Sequence, residues 1–196
     1  YEDPTTKGNK NLKSEEAFTN ELGVRYINKK FSGLFTIYNR QSKNLIDYVK
    51  EAEEEIWQAN NIREIDTKGF EMELFFPFNN MSNTNFFKLG YSYSKNNQKN
   101  IRYSFSKYSI NNSVKHQISG TYHYKFFRLI NSSTVLKFIE RNNRKRDSII
   151  DLYFHYGFKK IEVDLSINNL FDIEYSETNL VPMPKRNFLF GITYTL

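Results

Sequence analysis

The feature that most constrains this chain is a strict two-residue alternation of apolar and polar side chains, repeated along almost its whole length. Near the end, Phe188, Phe190, Ile192, Tyr194 and Leu196 fall on one face of an extended chain, with Leu189, Gly191, Thr193 and Thr195 on the other. Ile161, Val163, Leu165 and Ile167 oppose Glu162, Asp164, Ser166 and Asn168. Ile150, Leu152, Phe154 and Tyr156 oppose Asp151, Tyr153, His155 and Gly157. Phe87, Leu89, Tyr91 and Tyr93 oppose Lys88, Gly90, Ser92 and Ser94, and Phe70, Met72, Leu74 and Phe76 oppose Glu71, Glu73 and Phe75. Ile118, Tyr122 and Tyr124 oppose Ser119, Thr121, His123 and Lys125. Side chains alternate in this way only on strands. The pattern predicts about nine strands, over roughly 17–27, 31–47, 62–76, 86–96, 114–126, 133–140, 148–158, 160–169 and 187–196. No segment reads as a helix beyond a short helical turn at Glu51–Trp57.

The connections alternate too. Those at 28–30, 77–85, 126–132 and 158–160 are short or moderate. Those at 48–61, 97–113, 141–147 and 170–186 are mostly long. A sheet crossing a bilayer back and forth has this rhythm, with short periplasmic turns and longer extracellular loops. Strands of about 9–11 residues suit a tilted crossing.

Composition separates a membrane wall from a soluble sandwich. Val, Ile and Leu dominate a soluble core, whereas this chain has 18 Phe and 14 Tyr and its apolar face is unusually rich in both. Tyr recurs near strand ends, and amphipathic rings favour the boundary between headgroup and hydrocarbon. Glu71, Glu73, Asp151, Glu162 and Asp164 lie opposite, a placement suited to a wet or plugged lumen. No cysteine is present, which excludes a disulfide scaffold and cysteine-ligated metal. No apolar run approaches the ~20 residues of a membrane helix. The opening residues carry no signal-peptide pattern. The net charge of +6 is scattered rather than striped, and its densest group, Arg141–Arg146, reads as a solvated hairpin loop and not a nucleic-acid patch.

The expected fold is therefore all-β: an antiparallel up-and-down transmembrane β-barrel segment. Bacterial barrels have even strand numbers, so nine strands are expected to be the C-terminal part of a larger barrel. The last strand then descends to the periplasm and every long connection faces outward. The alternative is a soluble or surface-attached β-sandwich that binds glycans or proteins. It requires a second sheet over the Phe188–Phe190–Ile192 row.

Particular segments name a family. Gly8-Asn9-Lys10-Asn11-Leu12-Lys13-Ser14-Glu15-Glu16 and Glu21-Leu22-Gly23 resemble the G-N-x-x-L-K-P-E segment and following strand of TonB-dependent outer-membrane receptors. Phe35 to Ile46, Asn61-Ile62 and Gly69-Phe70-Glu71 are similar to strands of that family. Most specific are Asn169-Leu170-Phe171-Asp172, Tyr175, Pro184-Lys185-Arg186 and Phe188 to Leu196, which resemble N-L-F-D-x-x-Y, P-G-R-x-F and a terminal amphipathic strand. Ser14, Lys185 and Leu196 stand where the family has Pro, Gly and a terminal aromatic.

The resemblance implies a barrel of about 22 strands closed by a plug, whose plug domain and N-terminal strands are not in this chain. It implies active uptake of a scarce nutrient such as an iron siderophore, haem or cobalamin across the outer membrane of a Gram-negative-type bacterium. The implied partners are the TonB–ExbB–ExbD energy complex, reached through the plug, the barrel-assembly machinery, outer-membrane lipids and a small-molecule nutrient ligand. No cofactor, resident metal, nucleic acid or enzymatic activity is implied. Loop residues that could stack on a flat chelate or pair with its anionic groups are Tyr48, Trp57, Arg102, Tyr103, Phe105, Tyr108 and Arg144. Phe188, Phe190, Ile192, Tyr194 and Leu196 form the expected barrel-assembly signal. His116, His123 and His155 lack paired-ligand spacing. Ser166, His155 and Asp151 fall on lumen-facing positions without a nucleophile motif. Glu71 and Glu73 read as pore lining.

Overall fold

The computed structural model describes residues 4–62, 64–78, 85–98, 104–107, 113–126, 129–142, 146–178 and 181–196. Its strands are β1 (Thr6–Lys7), β2 (Glu16–Ile27), β3 (Ser32–Lys43), β4 (Leu45–Lys50), β5 (Trp57–Ile62), β6 (Ile65–Pro77), β7 (Phe86–Gln98) and β8 (Phe105–Ser106). They continue with β9 (Val114–Phe126), β10 (Ile130–Arg141), β11 (Asp147–Phe158), β12 (Ile161–Asn168), β13 (Ser176–Thr178), β14 (Val181–Pro182) and β15 (Asn187–Tyr194). There is no helix among the described residues.

Nine of these strands form one antiparallel sheet in the order β2-β3-β6-β7-β9-β10-β11-β12-β15. Each wall strand pairs with the next one along the chain, which makes an open meander. The register puts the two chemistries on opposite faces. One row runs Val24, Phe35, Met72, Tyr91, Ile118, Phe138. The row beside it, on the other face, runs Gly23, Thr36, Glu71, Ser92, Gln117. A one-residue slip at any pairing would exchange the faces, so the alternation itself fixes the register.

Among the described residues no second layer covers the apolar face. Phe188, Phe190 and Ile192 are 64%, 68% and 65% exposed, so the second sheet that a sandwich requires is not there. Among the described residues the buried hydrophobic ones are Val49, Ala59, Ile65, Ile139 and Ile149. All lie in or beside the long connections. The wall is held by backbone ladders and the core sits at one end.

The turns explain where the sequence reading shifts. The strand expected over 31–47 breaks at Asn44, whose φ of 54° lies in the left-handed region that Asn tolerates. Beyond it the chain enters a second sheet, ordered β1-β5-β4-β8. The helical turn expected at Glu51–Trp57 is not a helix. Residues 51–55 are turns and bends in which the Glu55 carboxylate accepts the Glu51 N–H at 2.9 Å, and Trp57 opens β5. The expected 133–140 strand starts earlier, at Ile130, because Ile130 pairs with Phe126 next to the turn. It also runs on through Arg141, which is 8% exposed and so not part of a solvated loop. The Asn28–Phe31 hairpin is tied by the Asn28 side chain, whose Oδ1 accepts the N–H groups of Lys30 and Phe31 at 2.7 and 2.9 Å.

Candidate ligand-binding site on the loop sheet

The second sheet is built from the long connections. β4 is its centre, antiparallel to β5 on one side and β8 on the other. Alternation gives it two faces. Asp47, Val49 and Ser106 are almost fully buried, and Ser106 Oγ donates to Asp47 Oδ2 at 2.6 Å. This ties β8 to β4, because a buried carboxylate oxygen that loses a donor is costly.

Tyr48, Lys50, Trp57, Phe105 and Lys107 occupy the other face. Tyr48 stands opposite Ala59, whose small side chain leaves room for rings, and Lys50 stands opposite Phe105. Lys50 Nζ lies 5.0 Å from the Trp57 ring centroid and 5.5 Å from that of Phe105. Lys107 Nζ lies 5.4 Å from Tyr48 and 5.9 Å from Trp57. The order Phe105, Lys50, Trp57, Lys107, Tyr48 is thus a ladder of alternating rings and ammonium groups. Each contact contributes about 0.5–1 kcal/mol at a half-exposed site. Such a surface presents flat π-faces for stacking and positive charge for anionic oxygens.

The opening segment braces the sheet. β1 runs parallel to β5, and the Trp57 N–H donates to the Thr5 carbonyl at 3.0 Å. Asn61 Nδ2 donates to the carbonyls of Lys13 and Asn44 at 2.9 and 2.6 Å, and Glu15 Oε1 accepts the Ile46 N–H at 2.6 Å. The rings therefore sit on a hydrogen-bonded platform.

Of the loop residues singled out by sequence, Tyr48, Trp57 and Phe105 come together on this face. Arg102, Tyr103, Tyr108 and Arg144 lie outside the described residues. Lys50 and Lys107 were missed. Their signal was present, since each lies two residues beyond a chosen aromatic on the same strand face.

The Asn169-Leu170-Phe171-Asp172 element is a structural joint. Asn169 is 2% exposed with φ 53°. Its Nδ2 donates to the carbonyls of Ile173 and Pro184 at 2.9 and 3.4 Å, and its Oδ1 accepts the Ile173 N–H at 2.9 Å. Its own N–H donates to Asp151 Oδ1 at 2.8 Å, while Lys137 Nζ lies 3.3 Å from Asp151 Oδ2. Asp172 Oδ1 accepts the Arg186 N–H at 2.8 Å. The joint thus sets the last connection against β11 and aims β15. Within that connection, burial and then Glu177 push the Tyr175 hydroxyl above its ordinary value of 10.0. A hydrogen bond with Glu174 raises exposed Lys185.

The polar face of the wall carries paired charges. Lys88 Nζ meets Glu73 Oε2 at 2.8 Å. A recess of about 310 Å³ is lined by Thr36, Glu71, Glu73, Ser92, Gln117 and Ser119. The three histidines are separate. His116 Nδ1 lies 2.9 Å from Tyr91 Oη on the apolar face, His123 Nδ1 2.7 Å from Ser133 Oγ, and His155 Nδ1 2.8 Å from Asp164 Oδ1. Ser166 pairs across the sheet with Tyr153, and Asp151 serves the Asn169 joint.

Residues 2–170 match the family model described as TonB dependent receptor-like, beta-barrel. Among solved structures the chain is similar to the FrpB iron transporter from Neisseria meningitidis (F3-3 variant). Identity is 18% and the TM-score 0.69, covering 96% of this chain and 32% of that one. It is similar to the siderophore receptor PirA from Pseudomonas aeruginosa at 16% identity and TM-score 0.67, covering 97% and 32%. It is also similar to the copper transporter OprC, at 15% identity and TM-score 0.68, covering 94% and 32%. The chain therefore spans about a third of the length of these structures. No curated protein matches it. The family match over most of its residues, with the same fold in these transporters, establishes that the chain belongs to the TonB-dependent receptor-like β-barrel family.

Proposed function

We propose that this chain is the C-terminal wall of an outer-membrane receptor that takes up a scarce nutrient, such as an iron siderophore, haem or cobalamin. The two-faced sheet carries the proposal: one face is apolar and ring-rich, and the other is hydroxylated and charged. On the apolar face the rings gather in two bands. One includes Phe35, Phe70, Tyr93 and His116, with centroid distances of 5.8, 5.8 and 5.0 Å between neighbours. The other includes Phe31, Phe76 and Phe87 and, farther along, Tyr122, Tyr124 and Phe126. On β9 the bands are marked by His116 and Phe126, about 34 Å apart along an extended strand. At a tilt of ~40° this is about 26 Å of height, near the ~25 Å apolar band of outer-membrane barrels.

In this reading the long connections face outward. The rings and ammonium groups of Tyr48, Lys50, Trp57, Phe105 and Lys107, together with Arg102, Tyr103, Tyr108 and Arg144, receive a flat or anionic chelate. Glu71 and Glu73 line the lumen where a plug would lie. A plug carried by the rest of the protein couples uptake to the TonB–ExbB–ExbD complex. Phe188, Phe190, Ile192, Tyr194 and Leu196 are read by the barrel-assembly machinery, and the chain acts as a receptor rather than an enzyme.

The test is uptake of radiolabelled ferric chelates, haem and cobalamin by cells that make the full-length receptor, with and without active TonB. TonB-dependent accumulation of one of these is expected. Recovery of the full-length protein in the soluble fraction, or uptake indifferent to TonB, overturns the proposal.

A further inference from the structure

Beyond the loop-sheet site, the apolar face ends in a row of different chemistry. Asn20 pairs with Asn39, Asn39 with Lys68, and Lys68 with Lys95. Lys68 and Lys95 are directly opposite each other on adjacent strands, and both are exposed. Like charges in that position destabilise a sheet unless an anion sits between them. Among the described residues neither ammonium has an ion-pair partner.

Their height decides what the anion is. Phe70 and Tyr93, opposite each other with centroids 5.8 Å apart, belong to the ring band that marks the outer boundary of the hydrocarbon. Lys68 and Lys95 each lie two residues beyond those rings toward the loop-sheet end, about 7 Å along the strand. Long lysine stems run along apolar surface and place their ammonium groups at headgroup level. On the bilayer side, the anions at that height are headgroup phosphates.

We propose that Lys68 and Lys95, flanked by the Asn39 amide, form a bidentate site for a phosphate of an outer-leaflet lipid, seated with its acyl chains along Phe70, Tyr93 and the apolar face below. This rests on the membrane-wall reading above. The site holds the lipid from outside the barrel and is distinct from the loop-sheet surface.

The experiment uses full-length receptor extracted from outer membranes in detergent and examined by native mass spectrometry. The probes are bisphosphorylated lipid A, the same lipid lacking its phosphates, and inorganic phosphate. Wild-type protein should retain the bisphosphorylated lipid, and the double variant Lys68→Gln/Lys95→Gln should retain it about tenfold less or weaker still. The variant Lys68→Arg/Lys95→Arg should keep it, and Lys159→Gln/Lys160→Gln, at the opposite end of the strands, should be unchanged. Equal retention by the glutamine variant, or by the dephosphorylated lipid, overturns the proposal. So does displacement of the lipid by micromolar inorganic phosphate, which would identify a free-anion site. Failure of the wall reading looks different: the full-length protein would not be in the membrane fraction at all.

Discussion

Gly69 offers the sharpest test of how the wall is held together. A β-carbon added there would lie 2.3 Å from the Tyr93 carbonyl oxygen and 2.5 and 2.6 Å from Oη and Cζ of Tyr38. The Tyr38 ring can swing away, but the Tyr93 carbonyl belongs to the backbone of β7 and cannot. Gly69 faces Ser94 in the β6–β7 pairing, so clearing a contact some 0.7 Å inside the closest tolerated approach means prising that ladder apart. One ladder hydrogen bond contributes about 1 kcal/mol, and overpacking strain adds about 1–3 kcal/mol. Gly69→Ala should therefore destabilise the full-length barrel by about 2–4 kcal/mol. Gly120 is the internal control, because a β-carbon there meets only Leu136 Cβ at 3.7 Å, an ordinary contact. Gly120→Ala should be within about 0.5 kcal/mol of the parent. The assay is urea unfolding in detergent, followed by the shifted electrophoretic mobility of the folded barrel. Adding Tyr38→Ala should leave most of the Gly69→Ala loss in place. If Gly69→Ala and Gly120→Ala behave alike, or Tyr38→Ala restores full stability, the backbone contact is not what limits the wall.

Four other outcomes follow from the geometry. Asn169→Ala strips partners from the Ile173 N–H and from the carbonyls of Ile173 and Pro184, so it should cost about 2–3 kcal/mol and slow barrel assembly; unchanged assembly kinetics and stability would refute the joint. Trp57→Ala and Lys50→Gln should each weaken binding of whichever chelate the uptake screen identifies by about fivefold, measured by equilibrium titration. Both Tyr175 and Lys185 have folded pKa values above their ordinary ones, so their contributions are complete below about pH 10 and are lost as pH rises through the raised values. Proteolysis of the 170–186 connection should be flat from pH 7 to about 9.5 and accelerate only above 10, and acceleration near pH 8 would contradict the sign. The Lys68 and Lys95 lipid retention described above completes the set.

The wall was legible because its signal is local. A period of two over ten residues needs no knowledge of partners, and the nine wall strands were placed to within a few residues by it. What was not legible depends on contacts distant in sequence. Nothing in Ser42-Lys43-Asn44-Leu45 says that Asn44 turns left-handed and sends β4 into a separate sheet. Asp47, Val49 and Ser106 become a core only once residues 59 positions apart meet. Lys50 and Lys107 acquire meaning only from the rings they reach. Arg141 read as part of a charged loop because its neighbours are charged, whereas strand geometry carries it onto the buried side beside Ile139. Asn169 was recognised by resemblance, but the reason for it, four hydrogen bonds joining Asp151, Ile173 and Pro184, is tertiary.

The arrangement of burial has a consequence for how this protein responds to change. Ordinary domains keep their large side chains inside, and truncating them leaves cavities that cost 2–5 kcal/mol. Here Phe188, Phe190 and Ile192 are exposed and touch no second protein layer among the described residues, so shortening one opens no cavity. The loss is instead that of contact with the surrounding apolar solvent, which refills the space. Backbone ladders cannot be refilled in this way, since an unpaired N–H or C=O in hydrocarbon costs several kcal/mol. Stability is therefore concentrated where strands approach most closely, as at Gly69, and where polar joints replace a core, as at Asn169. Substitution on the apolar face should act mainly on depth and tilt in the bilayer. Buried Val49 and Ala59 are the exception, and they lie on the strands that carry the ring-and-ammonium ladder.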